Sequence, residues 1–429
     1  MIISSKVVQL LPCYRNRITN KLQYSTTENV PVNVPEPVIS SSNIAQFRKG
    51  AGGRSSFSGN VITVFGNTGF TGRRVVNRLA RHANQLILPY RCDSYFLREL
   101  KVPCDLGQVL FFPFQLDDDE SIRKAVKYSN VVINMIGTYV DTPNYSIYDA
   151  NVEGAWRIAR ICREMGVERL IHVSALNADP SYKTQFIKNG AFLKSKGMAE
   201  QAVRSEFPSA TIIRPSVMYG DIDRLIYNLI TRWRVDPFGN VYTFNAGEGI
   251  YKMPLFVNDF ADGVNRVAMD SSTAGKTYEF VGPHCYEMCE LFDFIFIKGG
   301  LTADINYRYR RVGIPIWFLF TSFLCHSYTK IYRRPGVINW EWFDFMEATS
   351  DVLSAGDTYL LKDLGVSLTD FEDMGAYYAM QISYLRPYKP RMAAYPQCPL
   401  PLRSPPLFKQ KPITFKMQNI VTEQRAFGL

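Results

Sequence analysis

The stretch "NVITVFGNTGFTGRRVVNRLARH", residues 60–82, limits the possible folds more than any other part of the chain. A β-branched run (60–65) leads into a glycine-rich turn, "GNTGFTG" (66–72), and then into apolar residues at helical spacing (73–82). Strand, tight turn and helix in that order open a β-α-β unit. In such a turn Gly66 permits the reversal, Gly69 lets backbone N–H groups approach a diphosphate, and Gly72 lets the helix start lie close to the strand. Asn67, Thr68, Phe70 and Thr71 complete the loop, so the whole of 66–72 is expected to line a nucleotide. The helix N-terminus adds its partial positive charge to this phosphate site.

The alternation continues. "LILPYR" (86–91), "VLFFPF" (109–114), "VVINMIG" (131–137), "RLIHVSAL" (169–176) and "ATIIRP" (210–215) read as strands. A polar helix start at 117–126, a long helix across 145–165 and another across about 190–206 separate them. Short apolar strands in succession with helices predict an α/β fold, a Rossmann-type doubly wound parallel sheet, with a smaller irregular α/β region towards the C-terminus. Ligands of such sheets bind beyond the carboxyl ends of the strands, where Gly66, Arg91, Ile136, Gly137, Ser174 and Pro215 fall. Arg91, closing the second strand, would pair with a 2′-phosphate and favours NADPH, with Arg73 and Arg74 adding positive charge nearby. Asp93 as the ribose ligand would favour NADH instead, and because the cradle recognises an ADP moiety in general, FAD is a further alternative.

Charge distribution narrows the partners. The net charge of +10 divides into +5 over residues 1–60 and +7 over 385–429, leaving a body of −2, and no nucleic-acid-binding signature accompanies the basic ends. Residues 1–27 carry Lys6, Arg15, Arg17 and Lys21 with no acid, and Val7, Val8, Leu10 and Leu11 can share a helix face, the pattern of a mitochondrial presequence. Residues 28–59 read as an arm or linker, 60–282 as the nucleotide-binding domain, 220–385 as an interleaved smaller region on the partner or substrate side, and 386–429 as a basic, proline-rich tail. The longest apolar run, 312–325, contains a proline and is too short for a transmembrane helix. With the basic residues that follow it, that run suits either a protein partner or peripheral contact with membrane lipid. Eight scattered cysteines form no disulfide framework, and His284, Cys285 and Cys289 read as structural residues, with no metal expected.

The order of "GNTGFTG", "NMIG" (134–137), "NVEG" (151–154), "HVSA" (172–175), "FLKSK" (192–196), "RPSVMYG" (214–220) and "PLFVNDFADGV" (254–264) resembles the atypical and extended branches of the short-chain dehydrogenase/reductase family. Further stretches, "LPYRCD" (88–93), 150–179 and "LKDLGVSLTDFED" (361–373), are similar to the Rossmann-like accessory subunits of mitochondrial respiratory complex I. That resemblance implies a peripheral subunit on the matrix side of the inner membrane, in contact with other complex I subunits, holding NADPH without turning it over. In catalytic members of the wider family a Tyr-x-x-x-Lys pair moves the substrate proton and a serine orients the carbonyl. Here the pair reads Phe192 and Lys196, with Ser174 at the end of strand five. A missing general acid costs about 10² to 10⁴ in rate, so no catalytic residue is expected, and Lys196 is read as a ribose ligand. The alternative is an independent mitochondrial NADP-dependent oxidoreductase or epimerase acting on an apolar substrate, with Tyr139 or Tyr182 replacing the missing phenol.

Overall fold

The computed structural model describes residues 57–182, 190–221, 223, 225–230, 240–298, 309–315, 324, 327–328, 340–354, 356, 358–382 and 399–409. All of these lie within one compact unit. The expected presequence, the arm up to residue 56, most of the 312–334 stretch and most of the tail lie outside the described residues.

Six strands follow the predicted order: β1 (Val61–Phe65), β2 (Gln85–Tyr90), β3 (Val109–Pro113), β4 (Val131–Asn134), β5 (Arg169–Val173) and β6 (Thr211–Pro215). Two more, β7 (Thr277–Phe280) and β8 (Tyr359–Leu360), extend the sheet beyond β6. The series expected to close at residue 215 is therefore two strands short. Both additions lack a β-branched apolar run, and β7 is in the sheet because Thr277 to Phe280 pair with Ile212 to Pro215. The order is 8-7-6-5-4-1-2-3, and every pairing is parallel. The chain reverses direction across the sheet between β1 and β4, which places a crevice at their carboxyl ends.

Alternation along each buried strand divides the core in two. Ile62, Val64, Leu86, Leu88, Ile133 and Ile171 face α1 (Phe70–Ala80) and the helix Val257–Met269. Phe65, Ile87, Val132 and Leu170 face the helices Asp119–Val126, Gly154–Glu164 and Ala191–Glu206. Each large apolar side chain fully removed from water contributes about 1.5–3 kcal/mol, so both faces hold the strands in register. Instead of an unbroken helix across 145–165, helical structure includes a π-turn at Asp149–Glu153 before the regular run Gly154–Glu164, and Tyr145 lies in the loop ahead of it.

Beside the carboxyl end of β5 lies a second core, dominated by aromatic rings: Phe192, Tyr219, Phe256, Tyr286, Phe292, Phe294, Phe296 and Phe371. Trp342, Phe343, Phe345 and Met346 are also inside it. Lys252 and Asp351, both almost wholly buried, form an ion pair of 3.0 Å at its edge. Further bonds hold the pair: Lys252 Nζ also donates to the Phe345 carbonyl (2.8 Å), and Asp351 Oδ2 accepts from the Met253 amide (3.0 Å) and the Ser216 hydroxyl. Among the described residues no helix is long and apolar enough to cross a membrane.

Candidate nucleotide site

The cradle is built by backbone crowding. Gly66 turns the chain at φ +82°, a left-handed conformation that glycine adopts without steric penalty. A Cβ on Gly72 would lie 2.3 Å from the Gly66 carbonyl oxygen and 2.7 Å from Asn67 Cα, so only glycine allows the helix to start this close to the turn. Gly69 precedes α1 in an extended conformation, and no side chain caps the helix. The first-turn amides thus present their polarity at the β1/β4 crevice, the position at which sheets of this kind take a diphosphate. Asn67 turns its side chain inward and donates to the Val64 (2.9 Å) and Pro89 (2.8 Å) carbonyls, bracing the ends of β1 and β2. Phe70 packs against the aromatic core.

At the end of β2, Arg91 is exposed and its guanidinium carbon lies 5.6 Å from the centroid of the Tyr145 ring. Its competitor Asp93 caps a short 3₁₀ turn by accepting from the Tyr95 amide at 3.2 Å. The two other arginines near the cradle are committed. Arg73 pairs with Glu99 and donates to the Thr68 carbonyl (3.2 Å), and Arg74 pairs with Asp221 at 3.1 Å. Among the described residues Arg91 makes no ion pair.

The carboxyl ends of β4 and β5 are joined by Lys196. Its ammonium donates to the carbonyls of Ile136 (3.2 Å) and Val173 (3.1 Å), and a Cβ on Gly137 would come within 2.8 Å of it. Burial lowers its pKa to about 8, against the opposing pull of Glu200. Glu200 itself is held by both forks of Arg214, at 3.0 and 2.6 Å. Ser174 is buried beside this point, and its hydroxyl has no hydrogen-bond partner among the described residues. Its amide donates to Ile213, and the Pro215 carbonyl accepts from Leu176, each at 2.8 Å.

Where the phenol of a catalytic pair would stand, the buried Phe192 ring lies 4.3 Å from the Tyr139 ring and 5.3 Å from the Phe345 ring, centroid to centroid. Tyr182 is committed elsewhere. Its hydroxyl is bonded to Asp344 (3.0 Å) and Thr349 (2.7 Å), and burial drives its pKa far above the ordinary phenol value. Asn151, on the π-turn, is not among the site residues expected from sequence. Its amide group bonds both the N–H (2.9 Å) and the carbonyl (3.1 Å) of Thr138 and donates to Ser195 at 2.9 Å, tying the loop after β4 to the helix that carries Phe192 and Lys196. The "NVEG" stretch was the available signal, but the partners of Asn151 are 13 and 44 residues away. Among the described residues no group of three or more His, Cys, Asp or Glu side chains is placed to hold a metal ion.

The sequence matches the NAD dependent epimerase/dehydratase family over residues 62–280. The mouse (Mus musculus) protein "NADH dehydrogenase [ubiquinone] 1 alpha subcomplex subunit 9, mitochondrial" is 40% identical over 326 residues, 75% of this chain and 80% of the relative. The Neurospora crassa "NADH-ubiquinone oxidoreductase 40 kDa subunit, mitochondrial" is 35% identical over 336 residues, 76% of this chain and 80% of the relative. Among solved structures, the dTDP-glucose 4,6-dehydratase DesIV from Streptomyces venezuelae, with NAD and TYD bound, shares the fold at TM-score 0.51 and 16% identity, covering 77% of this chain and 99% of that one. Sheet order, glycine cradle and sequence matches agree, and the chain belongs to the NAD dependent epimerase/dehydratase family, in the branch that contains the mitochondrial alpha subcomplex subunit 9 proteins.

Proposed function

We propose that this chain is a non-catalytic accessory subunit of mitochondrial respiratory complex I, peripheral on the matrix side of the inner membrane, that holds NADPH as a structural ligand. The reading follows the kinship with subunits so named. The observation that carries it is the contrast between an intact cradle and a Phe192 ring enclosed by Tyr139 and Phe345. The cradle suits a dinucleotide because the close approach at Gly66 and Gly72 leaves polar backbone, not side chains, at the crevice. Residues 66–72 would hold the diphosphate, Arg91 the 2′-phosphate, and Ile136, Gly137, Ser174, Lys196 and Pro215 would surround the nicotinamide riboside. The unpartnered Ser174 hydroxyl is a polar group that such a ligand would satisfy. Bound NADPH supplies a hydride in reductases, but Phe192 has no proton to give alongside it.

A ligand that binds only the folded chain stabilises it by mass action, about 2.7 kcal/mol at a hundredfold excess over its dissociation constant. The second reading, a free-standing NADP-dependent oxidoreductase or epimerase, draws on the juxtaposition of Lys196 and Ser174 at the end of β5. Isolation from mitochondrial membranes separates the two. The chain is expected to co-migrate with the complex and to carry NADPH that carbonyl compounds do not oxidise. Migration alone, or rapid oxidation by the isolated chain, would favour the enzyme instead.

A further inference from the structure

Tyr145, in the loop ahead of the π-turn, occupies a defined place beside Arg91. The loop after β4 fixes it by local bonds. The Tyr145 carbonyl accepts from the Thr142 amide (2.8 Å) and hydroxyl (3.0 Å), while its own amide donates to the Thr142 hydroxyl (3.1 Å). Asp141 accepts from the Ile147 amide at 2.8 Å and secures the next residues. The Tyr145 ring packs with Ile136 against the core on that face of the sheet, and the Asp117 carboxylate lies beside its phenol. Thus a ring presented by the β4 loop meets a guanidinium presented by the end of β2, 5.6 Å from ring centroid to Cζ.

The form of this contact matters for ligand choice. A carboxylate would occupy the guanidinium N–H groups and cancel their charge, as Glu99 and Asp221 do for Arg73 and Arg74. An aromatic face attracts the cation through its quadrupole and leaves the N–H fork available. A phosphate needs that fork, whereas a bare ribose hydroxyl gains little from it. We propose that Tyr145 is a positioning residue that holds Arg91 for the nucleotide 2′-phosphate and thereby sets the preference for NADPH over NADH. The inference rests on the assignment of Arg91 made in the proposed function.

The test is the pair of dissociation constants for NADPH and NADH on the full chain, measured by titration calorimetry. Tyr145→Ala is expected to weaken NADPH about tenfold, which corresponds to about 1.4 kcal/mol, and to leave NADH within about twofold. Tyr145→Phe, which keeps the ring and loses the hydroxyl, is expected to hold NADPH within about threefold of the unsubstituted chain. If Tyr145→Ala does not fold, Tyr145→Leu keeps apolar bulk without a π face and carries the same expectation. Equal weakening of both nucleotides, or an unchanged ratio, overturns the proposal. Arg91→Leu separates the two layers: an unchanged ratio there removes the 2′-phosphate assignment itself. A ratio that collapses with Arg91→Leu but survives Tyr145→Ala removes only the role of Tyr145.

Discussion

The glycine turn after β1 and the ring cluster around Phe192 stand at the same edge of one sheet, yet they are built on opposite principles. At the turn, every approach that matters is between backbone atoms, and side-chain volume is excluded down to a single methyl group at Gly72. Around Phe192, volume is filled: its ring meets those of Tyr139 and Phe345 where a reductase would need room for a carbonyl. On the proposed function, the difference separates the means of holding a dinucleotide from the means of using it. Lys196 sits between them, bonded to backbone carbonyls of β5 and of the loop after β4, and fits the first role without the second.

The largest expected effect lies behind the filled side. Lys252 bonds the carbonyl of Phe345 and lies 5.4 Å from the centre of its ring, and Asp351 is the buried partner that makes this ammonium tolerable. Asp351→Ala is expected to cost about 4 kcal/mol in denaturant unfolding, because it strands a buried charge. If the loss were below about 1 kcal/mol, the pair would not be the support of the ring wall.

Next is the lysine between the two regions. Burial places the folded-state pKa of Lys196 at about 8, below the ordinary lysine value of 10.5. Between those values the unfolded chain holds a proton that the folded chain has released, so stability rises with pH across that window. Below pH 8 both states are protonated and the full penalty of burying the charge is present. The contribution is on the order of 3 kcal/mol over the window, measured on nucleotide-free protein. Lys196→Met is expected to flatten this part of the pH profile; an unchanged slope would mean that the ammonium is better solvated than its burial implies.

Gly72→Ala tests the empty side. Its new methyl group meets backbone, which cannot swing away, so a loss of about 2 kcal/mol is expected together with weaker NADPH binding. Retention of full nucleotide affinity would show that the crowding at this turn is incidental. The smallest change is expected from Phe192→Tyr: under about 1.5 kcal/mol in stability, and no oxidation of NADPH by carbonyl compounds. Turnover in that variant would make the absent phenol the sole barrier to chemistry and would undo the contrast between the two regions.

How much of this was legible beforehand depended on the range of the interactions. The turn at 66–72 announces itself because its three glycines are local requirements of one reversal and one close helix start. β1, β2 and β4 to β6 were readable because their buried residues form short, mostly apolar runs, and the half-exposed edge strand β3 because its run is apolar as well. β7 and β8 were not, since neither forms an apolar run and both belong to the sheet through neighbours distant in sequence. The same holds at the site. Gly66, Gly72 and Arg91 follow from position in a strand–turn–helix unit, whereas Asn151 and Tyr145 act through partners on other elements.

By itself, then, the sequence determined the β-α-β order, the parallel sheet, the crevice at its carboxyl edge and the missing phenol. Each of these is a matter of spacing along the chain or of the identity of one residue. Only the tertiary structure decided that Lys196 is buried against two carbonyls, that Phe192 is walled in, and that Arg91 lies against a ring while Arg73 and Arg74 are neutralised by acids. Those outcomes depend on which side chains converge from separate elements, and convergence has no signature in the local pattern of any one of them.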